Sequence, residues 1–206
     1  MHRKHWMFIS ALALTLVLSA CGSSEPEAGD AEEPTTATDG GHLELHDFSY
    51  TNQDNETVSN EDLKGKYSLV NMVFTRCPTV CNLMTPNMTE LQDELNEREL
   101  DVNLISFTVD PDHDTPEQLK AYGEQYDADF SNWDFLTGYD RMEVENFAAA
   151  SFNSVVQAHP ENDDIIHSTQ TFLVDMDGRV IETYDGLDVD HSPIVNDLEV
   201  LVEQEK

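Results

Sequence analysis

Three things are scarce in this chain: cysteine, positive charge, and apolar runs long enough to cross a bilayer. The cysteines are Cys21, Cys77 and Cys81, too few for a Cys-only four-ligand zinc site. Ten Lys and Arg stand against 42 Asp and Glu, a formal net charge of −32, which excludes nucleic-acid binding as a function. The acids are spread through every segment instead of forming a block. They read as a solvated surface suited to a saline or otherwise unusual medium, and they carry no function of their own. The apolar stretch at residues 6–20 is shorter than the roughly 20 residues a spanning helix needs. No internal repeat and no second linker break the chain.

That stretch has the form of a secretory signal. His2-Arg3-Lys4-His5 gives a positive start, and Leu18-Ser19-Ala20-Cys21 closes the apolar run with small residues before a cysteine. The ending resembles a bacterial lipobox, which implies cleavage after residue 20 and lipid attachment at Cys21. The chain is then expected to be anchored in the membrane by lipid, on the extracytoplasmic face. Residues 22–41 are Gly, Ser, Thr, Pro, Ala and acids with nothing large to bury, and predict a disordered acidic tether spanning roughly 25 Å as a flexible coil. Residues 42–206 are expected to form one domain.

Within that domain, strand and helix patterns alternate. Residues 43–50 and the turn chemistry of residues 52–55 predict an N-terminal hairpin or entry strand. Residues 67–74 are a buried-strand run. Residues 81–98 read as a helix with Leu83, Met84, Met88, Leu91 and Leu95 at helical spacing, and Pro86 is tolerable only near its start or at a kink. Further strands are expected at 102–109 and 133–136. A capped helix starts at Thr115-Pro116-Glu117-Gln118, and another over 140–152 has Met142, Val144, Phe147 and Ala148 as its buried face. A hairpin turns at residues 175–179, and a closing helix spans 193–202. The pattern gives an α/β fold with a mixed central sheet.

Chemistry concentrates in Phe74-Thr75-Arg76-Cys77-Pro78-Thr79-Val80-Cys81 and, far downstream, in Ile165-Ile166-His167-Ser168-Thr169. In a helix, residues i and i+4 lie roughly 6 Å apart, so the two sulfurs would share a face of a first helical turn, close enough to bridge or to converge on a metal ion. Thiolates select Cu(I), zinc or iron–sulfur clusters, and an added imidazole suits copper in both oxidation states. Zinc would want a fourth ligand for a closed site, so copper is favoured. A structural Cys77–Cys81 bridge would enclose only three residues and add little stability. A helix amino terminus would favour the thiolate form. Arg76 either acts in the same direction or pairs with surface acids, and both readings stand. Cu(II) would want a fourth ligand, for which Asp110 and Asp114 are candidates beside their role in a helix-capping loop. Met84 and Met88 are expected to pack, and His42, His46, His113, His159 and His191 to lie on the surface or in loops.

Three motifs in order resemble the Sco/SenC family: the Cys-Pro-x-x-Cys-type segment after a strand, Val109-Asp110-Pro111-Asp112-His113-Asp114-Thr115-Pro116, and His167-Ser168 ahead of Thr171-Phe172-Leu173-Val174-Asp175. The likeness covers nearly all of residues 42–206. It implies a thioredoxin-like fold with an added N-terminal β-hairpin, one copper ion held by Cys77, Cys81 and His167, and a role in assembling the dinuclear copper centre of cytochrome c oxidase, whose copper-bearing subunit would be the partner. The chain departs from the family pattern at Thr79, Asn82 and Ile166 without losing a ligand. On this reading the protein is a metal carrier and not an enzyme. The competing expectation is a thiol–disulfide oxidoreductase in which Cys77 attacks and Cys81 resolves. A copper-responsive redox sensor would use the same residues.

Overall fold

The computed structural model describes residues 43–205. The expected signal segment, the Cys21 lipidation site, the tether and His42 lie outside the described residues.

The chain enters through β1 (Leu43–Glu44), then a hairpin of β2 (Ser49–Thr51) and β3 (Thr57–Ser59), and a single helical turn, α1 (Asn60–Leu63). Asn52 makes the hairpin turn, its side-chain oxygen accepting from the amides of Asp54 and Glu56. Asn55 takes the left-handed conformation at φ 62°, where Asn is tolerated better than most residues. β4 (Ser68–Val73) follows and is buried along its whole length. Next come α2 (Cys81–Glu97), β5 (Asn103–Thr108), α3 (Pro116–Gln125), β6 (Trp133–Leu136) and α4 (Arg141–Phe152). A small hairpin of β7 (Gln157–Ala158) and β8 (Ile165–Ile166) precedes β9 (Gln170–Val174), β10 (Arg179–Asp185) and α5 (Ser192–Gln204).

One six-stranded sheet, ordered β1-β10-β9-β4-β5-β6, organises the domain. β4 pairs parallel with β5 and β5 with β6, whereas β9 runs antiparallel to both β4 and β10. The sheet is therefore mixed, as the alternation of patterns predicts, and the fold is thioredoxin-like α/β with the added N-terminal hairpin. Both faces of the central strands are buried. Val70, Met72, Ile105 and Phe107 pack with Phe48 and Tyr50 of the β2–β3 hairpin and with Val144, Phe147 and Phe152 of α4. The alternate residues Leu69, Val73 and Leu104 pack with Met88, Leu91 and Leu95 of α2, Leu119 of α3 and Val195 and Leu198 of α5. Mostly apolar strands follow from a sheet covered on both sides, and two buried polar residues within them bond to each other, the Ser106 hydroxyl donating to Asn71 Oδ1.

Helix ends agree with the sequence. Thr115 caps α3 in a reciprocal box with Gln118, with Pro116 in the first turn, and Asp140 caps α4 through the amide of Glu143. Pro86 lies inside α2, where it cannot donate to the carbonyl of Asn82, and the helix continues past it. Two expected core residues are corrected. Leu83 and Met142 are exposed, at 57% and 66%. The buried stripe of α2 runs through Met84, Met88, Leu91 and Leu95, and Leu83 stands about 100° from Met84 around the axis. Met142 falls on the side of α4 away from Val144, Phe147 and Ala148, since two residues turn the helix by about 200°.

Candidate metal centre

The site lies where β4 ends. Phe74 is fully buried and closes the strand. The chain then makes a tight turn, with the Cys77 amide donating to the Phe74 carbonyl at 3.3 Å, and continues through bends at residues 78–80 into α2. The expectation that both cysteines share a helical turn is therefore corrected. α2 starts at Cys81, and Cys77 sits in the turn before it, next to Pro78, which brings no amide hydrogen to a helical ladder. The helix still acts on Cys77, because the amide of Cys81, in its first turn, donates to Cys77 Sγ at 3.4 Å.

His167 arrives from the other side of β4 by register. β9 pairs antiparallel with β4, with Ser68 opposite Val174 and Val70 opposite Phe172. Continued beyond the ladder, that register carries the residues just before β9 to the residues just after β4. The β7–β8 hairpin, which the sequence pattern did not reveal, delivers His167 at its exit. The His167 ring meets the Phe74 ring edge to face, with centroids 5.7 Å apart. Its Nδ1 lies 2.8 Å from the Ser168 carbonyl oxygen. A carbonyl only accepts, so in the neutral ring Nδ1 carries the proton and Nε2 is the nitrogen left for a metal, the arrangement that presents an imidazole to an ion. Neither Phe74 nor the Ser168 carbonyl was anticipated, and a backbone oxygen leaves no residue-type signal.

Cys77 Sγ, Cys81 Sγ and His167 Nε2 all lie within 4.8 Å of one another, and Cys81 Sγ is 3.9 Å from His167 Nε2. Metal–sulfur bonds of about 2.3 Å and metal–nitrogen bonds of about 2.0 Å would place sulfur and nitrogen about 3.7 Å apart around a three-coordinate ion. The observed spacing fits a metal with little movement. Two soft thiolates with one imidazole fit Cu(I). Cys77 and His167 are half-buried and Cys81 is buried, so the site opens on one side only.

Both cysteines are free thiols, and they share one proton unequally. The Cys81 thiol donates to the Cys77 sulfur, holding the Cys77 pKa down to about 3 against the opposing effect of burial, with the amides of Cys81 and Thr79 helping. Cys81, as the donor and the buried partner, is pushed well above the ordinary thiol range. The pair therefore presents a thiolate at Cys77 and a thiol at Cys81.

The remaining candidates are placed elsewhere. Asp110 and Asp114 are buried and committed to partners. Asp110 pairs with Arg76 and Arg141, and Asp114 accepts from Thr75 and Thr108, so neither is grouped with the metal-ligand set. Arg76 turns to Asp110 and is not among the groups that lower the Cys77 pKa, which selects its pairing reading. Met84 and Met88 are buried, as expected. His46 is exposed, and the His159 ring accepts from the amide of Glu161 in the β7–β8 loop. His113 faces Gln118 at 3.5 Å. His191 is buried, against expectation, because it starts α5 with its ring 3.8 Å from Glu94 of α2.

Comparison with known proteins agrees with this geometry. The SCO1/SenC family model matches residues 36–203. A SCO1 protein homolog of Bacillus subtilis (strain 168) is 38% identical over 191 residues, covering 92% of this chain and 93% of the relative. The crystal structure of a SCO1/SenC family lipoprotein from Bacillus anthracis str. Ames superposes with a TM-score of 0.75 at 41% identity, covering 78% of this chain and 95% of that one. BsSco, described as a member of the Sco family of cytochrome c oxidase assembly proteins with a disulfide switch, superposes at 0.71 with 42% identity, covering 77% and 92%. Bradyrhizobium japonicum ScoI with copper bound gives 0.64 at 26% identity, covering 75% and 96%. The motifs, the fold and these similarities lead to one conclusion: the chain belongs to the SCO1/SenC family.

Proposed function

We propose that this protein binds one copper ion through Cys77, Cys81 and His167 and passes it by ligand exchange to a cysteine-containing acceptor, the copper-bearing subunit of cytochrome c oxidase. It would do so on the outer face of the membrane, held there by lipid on Cys21. The observation that carries the reading is the convergence of two cysteine sulfurs and an imidazole nitrogen within 4.8 Å at the end of a buried strand. The copper-bound relative, the relative described as a lipoprotein and the relative assigned to oxidase assembly support it.

Transfer follows from the difference in burial among the ligands. Cys77 and His167 face the open side, where an incoming thiolate reaches the ion, while Cys81 holds it from behind. As the acceptor's thiolates replace them, Cys77 stays anionic and Cys81 takes up a proton. Copper is cargo here, and the protein is a carrier and not an enzyme.

A second reading rests on the same proton asymmetry. Cys77 thiolate attacks one sulfur of a substrate disulfide and releases the other as a thiol after protonation. Cys81 then loses its proton and attacks Cys77, which frees the second substrate thiol and leaves a Cys77–Cys81 disulfide. His167→Ala separates the two. Stopped-flow transfer of copper to an apo-acceptor domain collapses in this variant if the carrier reading holds. If transfer persists and only Cys77→Ser or Cys81→Ser abolishes function, the oxidoreductase takes its place.

A further inference from the structure

Two fully buried carboxylates grip the backbone and side chains immediately before Cys77. Asp114 Oδ2 accepts from the Thr75 amide at 3.1 Å and its Oδ1 from the Thr75 hydroxyl at 2.6 Å. Asp110 Oδ2 accepts from Arg76 Nε at 2.5 Å, while its Oδ1 accepts from Arg141 at the start of α4 at 3.1 Å. Both acids sit on the loop between β5 and α3, which is itself bolted down. The Val109 amide donates to the Val73 carbonyl and the Asp114 amide to the Asp110 carbonyl, both at 2.9 Å. The Thr137 hydroxyl donates to the Asp114 carbonyl at 2.7 Å, the Thr108 hydroxyl to Asp114 Oδ2, and the Tyr139 hydroxyl lies 2.8 Å from the Thr108 carbonyl.

Burying two carboxylates is costly unless their partners are well placed, and burial pushes Asp114 above the ordinary carboxylate range while the hydroxyl and amide donors oppose it. Few cations are available in so acidic a chain, yet two arginines converge on Asp110. Stability alone would be served as well by apolar residues at these positions. What the carboxylates add is direction: three donors on Thr75 and Arg76 are fixed against a rigid loop, two residues and one residue ahead of Cys77.

We propose that Asp110 and Asp114 are positioning residues that set the Cys77 sulfur against Cys81 and His167, the β5–α3 loop serving as a clamp on the cysteine turn. Neither touches the ligand atoms, and each acts through Thr75 or Arg76. The part of the inference that concerns copper rests on the carrier reading; the part that concerns the two sulfurs does not.

The test uses the full chain. In the metal-free protein, the Cys77–Cys81 disulfide is equilibrated with reduced and oxidised glutathione. In the copper-loaded protein, copper loss to a chelator is followed by the thiolate-to-copper charge-transfer band. Asp114→Ala and Asp110→Ala should disfavour the disulfide by about tenfold, or about 30 mV for a two-electron couple, and weaken copper retention by about 10–100-fold. Asp114→Asn should recover most of both, since its oxygen can accept from the Thr75 amide and its nitrogen can donate to the Thr75 hydroxyl. Arg76→Ala, at a half-exposed side chain, cuts the Asp110 link without opening the core and should move both readouts in the same direction even if an aspartate variant fails to fold. Lower melting temperatures with unchanged disulfide equilibrium and copper release would overturn the proposal. Failure of the wild-type protein to hold copper would remove the carrier reading, and the glutathione equilibrium would still decide on the clamp.

Discussion

The unequal sharing of a proton between Cys77 and Cys81 can be read from the pH dependence of alkylation in the metal-free, reduced protein. Cys77 is held near pKa 3 by the Cys81 thiol, whereas an unperturbed cysteine titrates near 8.5. At pH 6 the ordinary thiol is about 0.3% thiolate and Cys77 is almost wholly so, a gain of about 300-fold in the reactive form. Nucleophilicity falls with pKa with a Brønsted coefficient of about 0.4–0.5, so a drop of about five and a half units costs about 150–600-fold. The two effects nearly cancel, and absolute speed is uninformative. The shape of the profile is decisive. Between pH 5 and 8 an ordinary thiol should accelerate about 700-fold, and Cys77 should change by less than about twofold. Cys81, buried and protonated, should stay unlabelled over the same range. Iodoacetamide labelling followed by mass spectrometry of the two cysteines gives both curves. Cys81→Ala removes the largest cause of the shift, so its Cys77 inflection should rise toward the ordinary value. A Cys77 rate climbing tenfold per pH unit across this window would refute the reasoning, as would equal labelling of Cys81.

Other consequences follow from the geometry. His167→Ala removes a half-buried ligand without touching the core, so copper affinity should fall by at least about a hundredfold, more than loss of an orienting partner costs, while the metal-free melting temperature stays within about 2 °C. Calorimetry and thermal unfolding check the pair. A Cβ on Gly186 would stand 2.5 Å from the Thr169 carbonyl oxygen, two residues from His167, and backbone cannot rotate away. Gly186→Ala should therefore cost about 1–3 kcal/mol and weaken copper binding as well, measured by urea unfolding and metal titration. Gln92 is buried and ties the turn after α3 through the Asp129 carbonyl and amide and Asn132 Oδ1. Gln92→Leu should cost about 2–4 kcal/mol, or roughly 4–16 °C in melting temperature, with copper affinity unchanged.

Strands and helices with a sustained pattern were legible from the residues: the mostly apolar run of β4, the Thr115–Gln118 box and the Asp175–Gly178 turn each carry a local signal. The β7–β8 hairpin did not, because two-residue strands have no measurable period and its loop from His159 to Asp164 is polar apart from Pro160. Leu83 and Met142 show the limit of spacing as evidence. Each is apolar within an amphipathic helix, and only the wheel angle relative to the buried stripe separates them from the core. The three ligands were readable by residue type and family motif, but their convergence depends on the β4–β9 register. Asp110 and Asp114 were recognisable as unusual acids in a motif, whereas their partners Thr75 and Arg76 lie 39 and 34 residues away in sequence, a pairing that only the fold creates. His191 looked like a loop residue and is buried for the same reason, since Glu94 comes from a different helix.

The most direct test of the central claim is a copper titration of the reduced protein followed by thiolate-to-copper charge transfer and X-ray absorption, beside Cys77→Ser, Cys81→Ser and His167→Ala. The account predicts one tightly held ion per chain with two sulfur scatterers and one imidazole, a charge-transfer band lost in either serine variant, and an altered spectrum with weaker binding in His167→Ala. A copper environment lacking either sulfur, or one that is unchanged by His167→Ala, would contradict it.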